Sequence, residues 1–233
     1  MAPAGLTNPI VAVCGVHGGA GTTTIAITLA AHAAQLAGPG AVLLTETDPC
    51  GGGLALALDG ASPQGLAELA TLRALGAQPP QPPVAQLPSG LRITAATAAE
   101  REPADPDDVA EVLLEAGTAH SLVVVDCGTI REPHRHGALL AATAVVWAIS
   151  AAASAGVAHA LAAGPLARSA RHLHWLLAVS DTTGAGARAP LSELRSLMPE
   201  VRRVVLAPAL SALPVDHPQR GDVANDLIEG MAA

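Results

Sequence analysis

Residues Val11 to Ala26 read V-A-V-C-G-V-H-G-G-A-G-T-T-T-I-A. The run from Gly15 to Gly21 and Thr23 resembles a phosphate-binding P-loop, G-x-x-x-x-G-K-[ST], with one residue more between the two glycines and with Thr22 where the lysine stands. No lysine occurs anywhere else in the chain. Backbone N–H groups of such a loop still wrap a phosphate, and the N-terminus of the next helix adds partial positive charge. The missing element is the point charge that reaches the β- and γ-phosphates. Gly18, Gly19 and Gly21 let the main chain approach phosphate oxygens, and His17, Ala20, Thr22 and Thr24 complete the loop. Thr23 holds the place of the hydroxyl that ligates Mg²⁺.

The loop sits in a strand–loop–helix rhythm that repeats along the chain. Ile10 to Cys14 is a short apolar run, and Thr23 to Leu36 reads as the helix after it. Ala41 to Leu44 is a second strand, feeding an acidic, Gly-rich loop from Glu46 to Gly53. Ser62-Pro63 opens a helix through about Leu75, and residues 78–90 form a Pro-rich loop. Leu91 to Ala95 is a strand. Asp105-Pro-Asp-Asp starts a helix to about Ala116, with acids at its positive end. Leu122 to Val125 is a wholly apolar strand ending at Asp126. Thr143–Ile149, Trp175–Val179 and Val204–Leu206 are later strands, and Val223 to Met231 is the last helix. Alternating short strands and helices imply one doubly wound, mostly parallel α/β sheet with helices on both faces. The expected organisation is a single domain over residues 1–233, with its core at about 9–232. Such sheets bind ligands at the C-terminal ends of their strands, where the loops carrying Gly15–Thr24, Glu46–Gly53 and Asp126–Thr129 all emerge.

Composition removes several functions. A net charge of −8 and twelve scattered arginines exclude a nucleic-acid surface, which needs clustered cations to displace counterions. They also oppose simple attachment to anionic lipid. With no Phe or Tyr, and only Trp147 and Trp175 aromatic, the core is built from small aliphatic side chains. Cys14, Cys50 and Cys127 form no C-x-x-C pair, and residues 1–14 lack the form of a signal peptide, so a reduced, cytoplasmic location is expected. Gly137 to Ala167 contains no Asp, Glu, Lys or Arg. It divides into a strand and an Ala-rich helix from about Ala155 to Ala163, rather than forming a membrane span.

A buried strand ending in Asp126, beside a P-loop strand, is the Walker B arrangement, whose carboxylate holds a water on Mg²⁺. With L-L-T-E-T-D-P-C-G-G-G from Leu43 to Gly53, the resemblance becomes specific. The first loop resembles the deviant Walker A motif of the MinD/ParA family of P-loop ATPases, K-G-G-x-G-K-T-[ST]. The exit of the second strand resembles that family's D-x-D-P, and Asp126 matches its Walker B Asp. The three motifs occur in the family's order.

That resemblance implies ATP (or ADP) and Mg²⁺ as cofactors, and a homodimer with nucleotide between subunits. It also implies a protein partner in a positioning, secretion or pilus-type system. Asp48 would position the attacking water and, with Asp126, hold Mg²⁺ through water. The base pocket would lie at Ser180, Asp181 and Pro208. The departures are as informative. The signature lysine that reaches the partner's phosphates is His17 here, the P-loop lysine is Thr22, and Glu46 replaces the first Asp of D-x-D. The string G-G-A-G-T-T-T is similar to the CpaE/TadZ branch. Residues Asp222 to Ala233 carry acids and no Arg or Lys, unlike the lipid-binding tail of MinD.

Losing a lysine on a transferring phosphate slows hydrolysis by about 10²–10⁴. Binding suffers less, because the amides and Mg²⁺ remain. His17 is a partial substitute only as a cation. Arg131 and Arg135 read as solvated loop charges beside His134 and His136. The three cysteines read as small buried hydrophobes rather than metal ligands. Three functional readings result. One is a slow or inactive ATP-dependent dimerisation and localisation switch. The second is a pseudo-ATPase scaffold that keeps the fold without using nucleotide. The third, a biosynthetic ligase of the dethiobiotin-synthetase kind, is disfavoured because such catalysis leans on the missing lysines.

Overall fold

The computed structural model describes residues 9–48, 52–54, 65–77, 85–86, 90–94, 104–129, 135–153, 170, 173–181, 194, 196 and 198–232. Strands are β1 (Ile10–Gly15), β2 (Val42–Glu46), β3 (Ala85–Gln86), β4 (Arg92–Thr94), β5 (Leu122–Thr129), β6 (Ala144–Ser150), β7 (His174–Ser180) and β8 (Val201–Ala207). Helices are α1 (Thr22–Ala37), α2 (Leu66–Ala74), α3 (Pro106–Ala119), α4 (Arg135–Ala141) and α5 (Pro218–Ala232).

The strands form one sheet in the order β3-β4-β2-β5-β1-β6-β7-β8. Every pairing is parallel except the short β3 against β4. Parallel strands need crossovers that place helices on the faces, which is why the strands are continuous apolar runs. The order reverses at β1: its neighbours are β5 on one side and β6 on the other. That reversal opens a crevice at the strands' C-terminal ends, and the loop after β1 is the phosphate-loop sequence.

Successive residues of one strand serve opposite faces. On β1, Ala12 and Cys14 pack under α3 and α4, while Val11 and Val13 pack under α1 and α5. Ala26, Ala30, Ala31, Ala33 and Ala34 of α1 are buried, so this helix lies close on the sheet without large side chains. The two tryptophans fill the other face. Trp147 of β6 and Trp175 of β7 meet edge to face, with ring centroids 5.4 Å apart.

Three details differ from the sequence reading. Strand β3 lies within the segment read as a Pro-rich loop; two residues on an edge give almost no periodic signal. Strand β5 runs four residues past Val125 to Thr129, carrying Asp126 inside a strand. The segment read as a loop around Arg135 and His136 is helix α4. Gly137 explains its placement: a Cβ there would lie 2.6 Å from Pro106 O and from Val109 Cβ, so α4 packs directly on the start of α3. The expected helix openings at Ser62-Pro63 and at Ala155–Ala163, and Ala95 of the expected strand, lie outside the described residues. Among the described residues, no helix is long and apolar enough to cross a membrane.

Candidate functional site

Helix α1 begins without a side-chain cap. Its first-turn amides, Thr22 to Thr24, have no carbonyl within the helix to bond. Gly21, the N-cap residue, has φ 86°, and Gly19 has φ 75°; both lie in the left-handed region that only glycine enters without strain. The loop is therefore shaped by glycine backbone and ends in a set of donors without partners in the helix and aligned with its dipole, the arrangement that receives an anion.

Two contacts brace the loop from below. Ser180, at the end of β7, is buried and donates from Oγ to Ala20 O at 2.6 Å, with Ile149 O a second acceptor at 3.3 Å. Gly15 leaves room for Thr22, whose Oγ1 would collide with any Cβ at that position. Thr22 is thus turned inward and is 7% exposed. The residue in the lysine position points under the loop, not out of it.

His17 is half-buried and folded back on β6. Its Nδ1 lies 2.8 Å from Gly18 O, and the Ser150 N–H donates to its Nε2 at 3.2 Å. This pattern fits the neutral tautomer carrying the proton on Nδ1. Both ring nitrogens are therefore engaged by the main chain of Gly18 and Ser150.

Asp126 is 3% exposed and faces α1. It accepts from the Thr23 hydroxyl and, at Oδ1, from Gly128 N–H at 3.0 Å. Burial pushes its carboxyl up. The Thr23 and Gly128 hydrogen bonds and the Arg135 charge oppose the shift, and Asp48 adds to it. Across the ladder, Glu46 of β2 is the register partner of Asp126. Glu46 is 3% exposed and accepts from Leu54 N–H at 3.1 Å; its Oε1 has no partner among the described residues. Burial is the main force raising its carboxyl to about 7; the Leu54 hydrogen bond opposes it, and Asp126 and Asp48 push it further up. A Cβ on Gly52 would lie 2.9 Å from Asp48 Oδ2 and 3.1 Å from Glu46 Oε2, and one on Gly53 would lie 2.7 Å from Thr23 Oγ1. Gly52 and Gly53 thus let the main chain close over the carboxyls and the hydroxyl.

These residues fit a divalent hard cation. The donors are all oxygen: the Thr23 hydroxyl and the carboxyls of Asp126, Asp48 and Glu46, one of them with an orphaned buried oxygen. Among the described residues no group of three or more His, Cys, Asp and Glu forms a metal site by itself. Water and phosphate oxygens would have to complete the coordination. A phosphate alone would meet several carboxyls and no ammonium, so cation and anion are needed together.

Asp181 and Pro208 line one small crevice with Gly21, Thr24 and Ser180. The structure therefore gathers the three residues assigned to a base pocket beside the loop. The sequence did not mark what holds that crevice's far wall. Arg220 of α5, 6% exposed, donates to Thr28 Oγ1 at 3.1 Å and to the carbonyls of Leu210 and Leu213. Burial lowers its pKa. An arginine inside a helix that otherwise looks amphipathic is the only hint the sequence offers.

Arg135 requires a correction. Read as a solvated loop charge, it is fully buried and donates Nε–H to Cys127 O. Its charge acts on Asp126 from beneath the sheet's rim. His136, its neighbour, is exposed. Cys14 and Cys127 are both buried and in contact; that hydrogen bond, with burial, pushes the Cys127 thiol well up, which suits small core residues. Cys50, Arg131 and His134 lie outside the described residues.

No protein-family model matches the chain, and no curated protein matches it in sequence. Solved structures do match in fold. The cell division ATPase MinD of Pyrococcus furiosus superposes with a TM-score of 0.75 at 15% identity, covering 96% of this chain and 98% of that one. A ParA family ATPase from Chlorobium tepidum TLS gives 0.66 at 12% identity, covering 95% and 98%. Cobyrinic acid a,c-diamide synthase from Mycobacterium smegmatis, solved with a bound ATP analog and magnesium, gives 0.66 at 17% identity, covering 95% and 93%. Such identities speak for the fold alone, and the third neighbour shows that one fold carries unlike chemistries. The chain has the MinD/ParA type of P-loop NTPase fold.

Proposed function

We propose that this protein is a nucleotide-binding switch of the MinD/ParA kind, in which ATP and Mg²⁺ favour a homodimer that docks a protein partner, with slow or absent hydrolysis. The observation that carries the reading is the uncapped N-terminus of α1, opened by Gly19 and Gly21, beside the Thr23–Asp126 pair. The amides of Gly18 to Thr24 would hold phosphates, Thr23 and Asp126 would hold Mg²⁺, the latter through water, and Ser180, Asp181 and Pro208 would flank the base. Asp48 would orient the attacking water and share a metal-bound water. Bound Mg²⁺ supplies charge neutralisation on the phosphates.

Several finer points belong to the same reading. The loop G-G-A-G-T-T-T is of the degenerate, CpaE/TadZ-like form, acting in a positioning, secretion or pilus-type system. One domain spans the chain, and Cys14 and Cys127, which form no disulfide, suit the cytoplasm. Neither an acidic surface nor the helices described favour nucleic acid or a membrane span.

A specific observation favours a second reading, a pseudo-ATPase scaffold. Thr22 is turned inward and His17 is engaged by Gly18 and Ser150, so no side-chain cation of the loop points at a γ-phosphate. Sedimentation with and without Mg²⁺-ATP separates the two. A nucleotide-dependent shift from monomer to dimer is expected of the switch. An unchanged profile at millimolar nucleotide would leave the scaffold.

A further inference from the structure

On the sheet face away from α1, a cavity of about 350 Å³ lies between β2, β4, α2 and α3. Its volume is at the small end of the range for small-molecule sites. Thr45 and Thr94 form part of its lining. They are register partners on β2 and β4, and each is 2% exposed. Neither hydroxyl has a hydrogen-bond partner among the described residues. One buried hydroxyl without a partner is an uncommon cost; two side by side in the wall of one cavity point to a polar group that belongs there.

The same cavity has a cationic end. Arg92 precedes Thr94 by two residues on β4, so the two share a face roughly 6–7 Å apart along the strand. Arg92 Nη1 lies 3.5 Å from His120 Nε2, and His120 Nδ1 lies 2.9 Å from Ala116 O. The imidazole therefore uses Nδ1–H on that carbonyl and offers Nε2 to the guanidinium. Among the described residues Arg92 forms no ion pair, whereas Arg73, also at the cavity, is taken by Glu111 and Glu115 of α3. Apart from these groups and the Arg73–Glu115 pair the lining is apolar, with Leu66, Leu69 and Leu113 among it.

We propose that this cavity binds a short amphipathic organic carboxylate bearing a hydroxyl or carbonyl at its far end. The carboxylate sits on Arg92, the methylene body lies against Leu66, Leu69 and Leu113, and the distal oxygen engages Thr45 and Thr94. A charged head, an apolar body and a polar group two strand residues away answer Arg92, the leucines and the Thr45–Thr94 pair. The site stands on the face opposite Glu46 and is independent of whether the phosphate loop binds nucleotide.

The test is calorimetric titration of the full chain with 6-hydroxyhexanoate, hexanoate and 1,6-hexanediol. Saturable binding of 6-hydroxyhexanoate below about 1 mM is expected, with hexanoate several-fold weaker and the diol unsaturable. Arg92→Gln should weaken 6-hydroxyhexanoate about tenfold or more. Thr94→Val should weaken it several-fold while raising the Tm of the ligand-free protein, because a partnerless hydroxyl is removed. Leu69→Phe, which fills the cavity, should abolish binding with the fold intact by circular dichroism. Absence of saturation in the wild type, or wild-type affinity in a folded Arg92→Gln or Leu69→Phe protein, overturns the proposal.

Discussion

The hydroxyl of Thr23, on the first turn of α1, hydrogen-bonds the carboxylate of Asp126 at the rim of β5. This pair joins the two motifs that the sequence separates by about a hundred residues. It also places a metal-type oxygen donor set beside the uncapped amides of the helix. Thr23→Ala leaves the buried Asp126 with one fewer donor, and removing a hydrogen bond to a charged group costs about 1.5–3 kcal/mol. Thermal unfolding should show that loss. Calorimetry should also show weakened Mg²⁺-nucleotide binding, and a Tm and affinity equal to wild type would detach Thr23 from the site.

Thr22→Lys tests the degenerate loop. Thr22 is buried against Gly15, and a lysine is too long to stay there, so its ammonium must leave along the loop toward the phosphate side. ATP turnover should rise by tenfold or more, recovering part of the roughly 10²–10⁴ that the missing lysine removes. Turnover unchanged in a folded variant would mean that the metal or the water-positioning carboxylate is out of place as well.

Glu46 makes stability fall as pH rises. Its folded-state carboxyl is raised to about 7 from an ordinary 4.5, so the native state holds a proton that the unfolded state has released. That contribution is complete below about pH 4.5 and is lost as pH climbs through about 7. The gap corresponds to at most about 3 kcal/mol, and Asp126, raised by burial, acts with the same sign above its own ordinary range. Denaturant titrations of the metal-free protein from pH 4.5 to 8 should show the decline, and Glu46→Gln should flatten it and stabilise the protein at pH 8. A wild-type profile that is flat or rises over this interval contradicts the burial of an unpaired Glu46 oxygen.

Arg220 holds the Leu210 wall of the crevice that Ser180, Asp181 and Pro208 line. Replacing it with Met keeps the apolar stem but leaves the Leu210 and Leu213 carbonyls and the Thr28 hydroxyl without their donor. Each such loss costs about 1–3 kcal/mol, so Arg220→Met should lower unfolding free energy by several kcal/mol. A change below about 0.5 kcal/mol, the range of ordinary surface substitutions, would show that the network does not hold the crevice.

Much of this was legible in the sequence because it rests on period and punctuation. The apolar runs 10–14, 122–125 and 143–149 declare parallel strands, and the glycines between Gly15 and Gly21 declare the turn that leads into α1. Asp126 was recognisable because it ends such a run beside that loop. What escaped depends on contacts distant in sequence. Arg135 looked like a loop charge among histidines, yet tertiary packing of Gly137 on Val109 turns that segment into a helix and buries the guanidinium. Nothing in the string H-G-G-A-G announces that Ser150 will engage His17, or that Ser180 will hold Ala20 from a strand far along the chain. Glu46 reads as a substitution for Asp, but its burial without a partner for one oxygen among the described residues follows only from the closure of the main chain at Gly52 over it.

The central claim is that the backbone donors of Gly18 to Thr24, with Thr23 and Asp126, bind a nucleotide phosphate without any lysine. Calorimetric titration with ADP, in Mg²⁺ and in EDTA, of the wild type and Asp126→Asn tests it most directly. Saturable one-site binding by the wild type in Mg²⁺, lost in EDTA and weakened at least tenfold by Asp126→Asn, is the predicted result. No heat of binding at millimolar Mg²⁺-ADP, or equal binding by a folded Asp126→Asn protein, would contradict it.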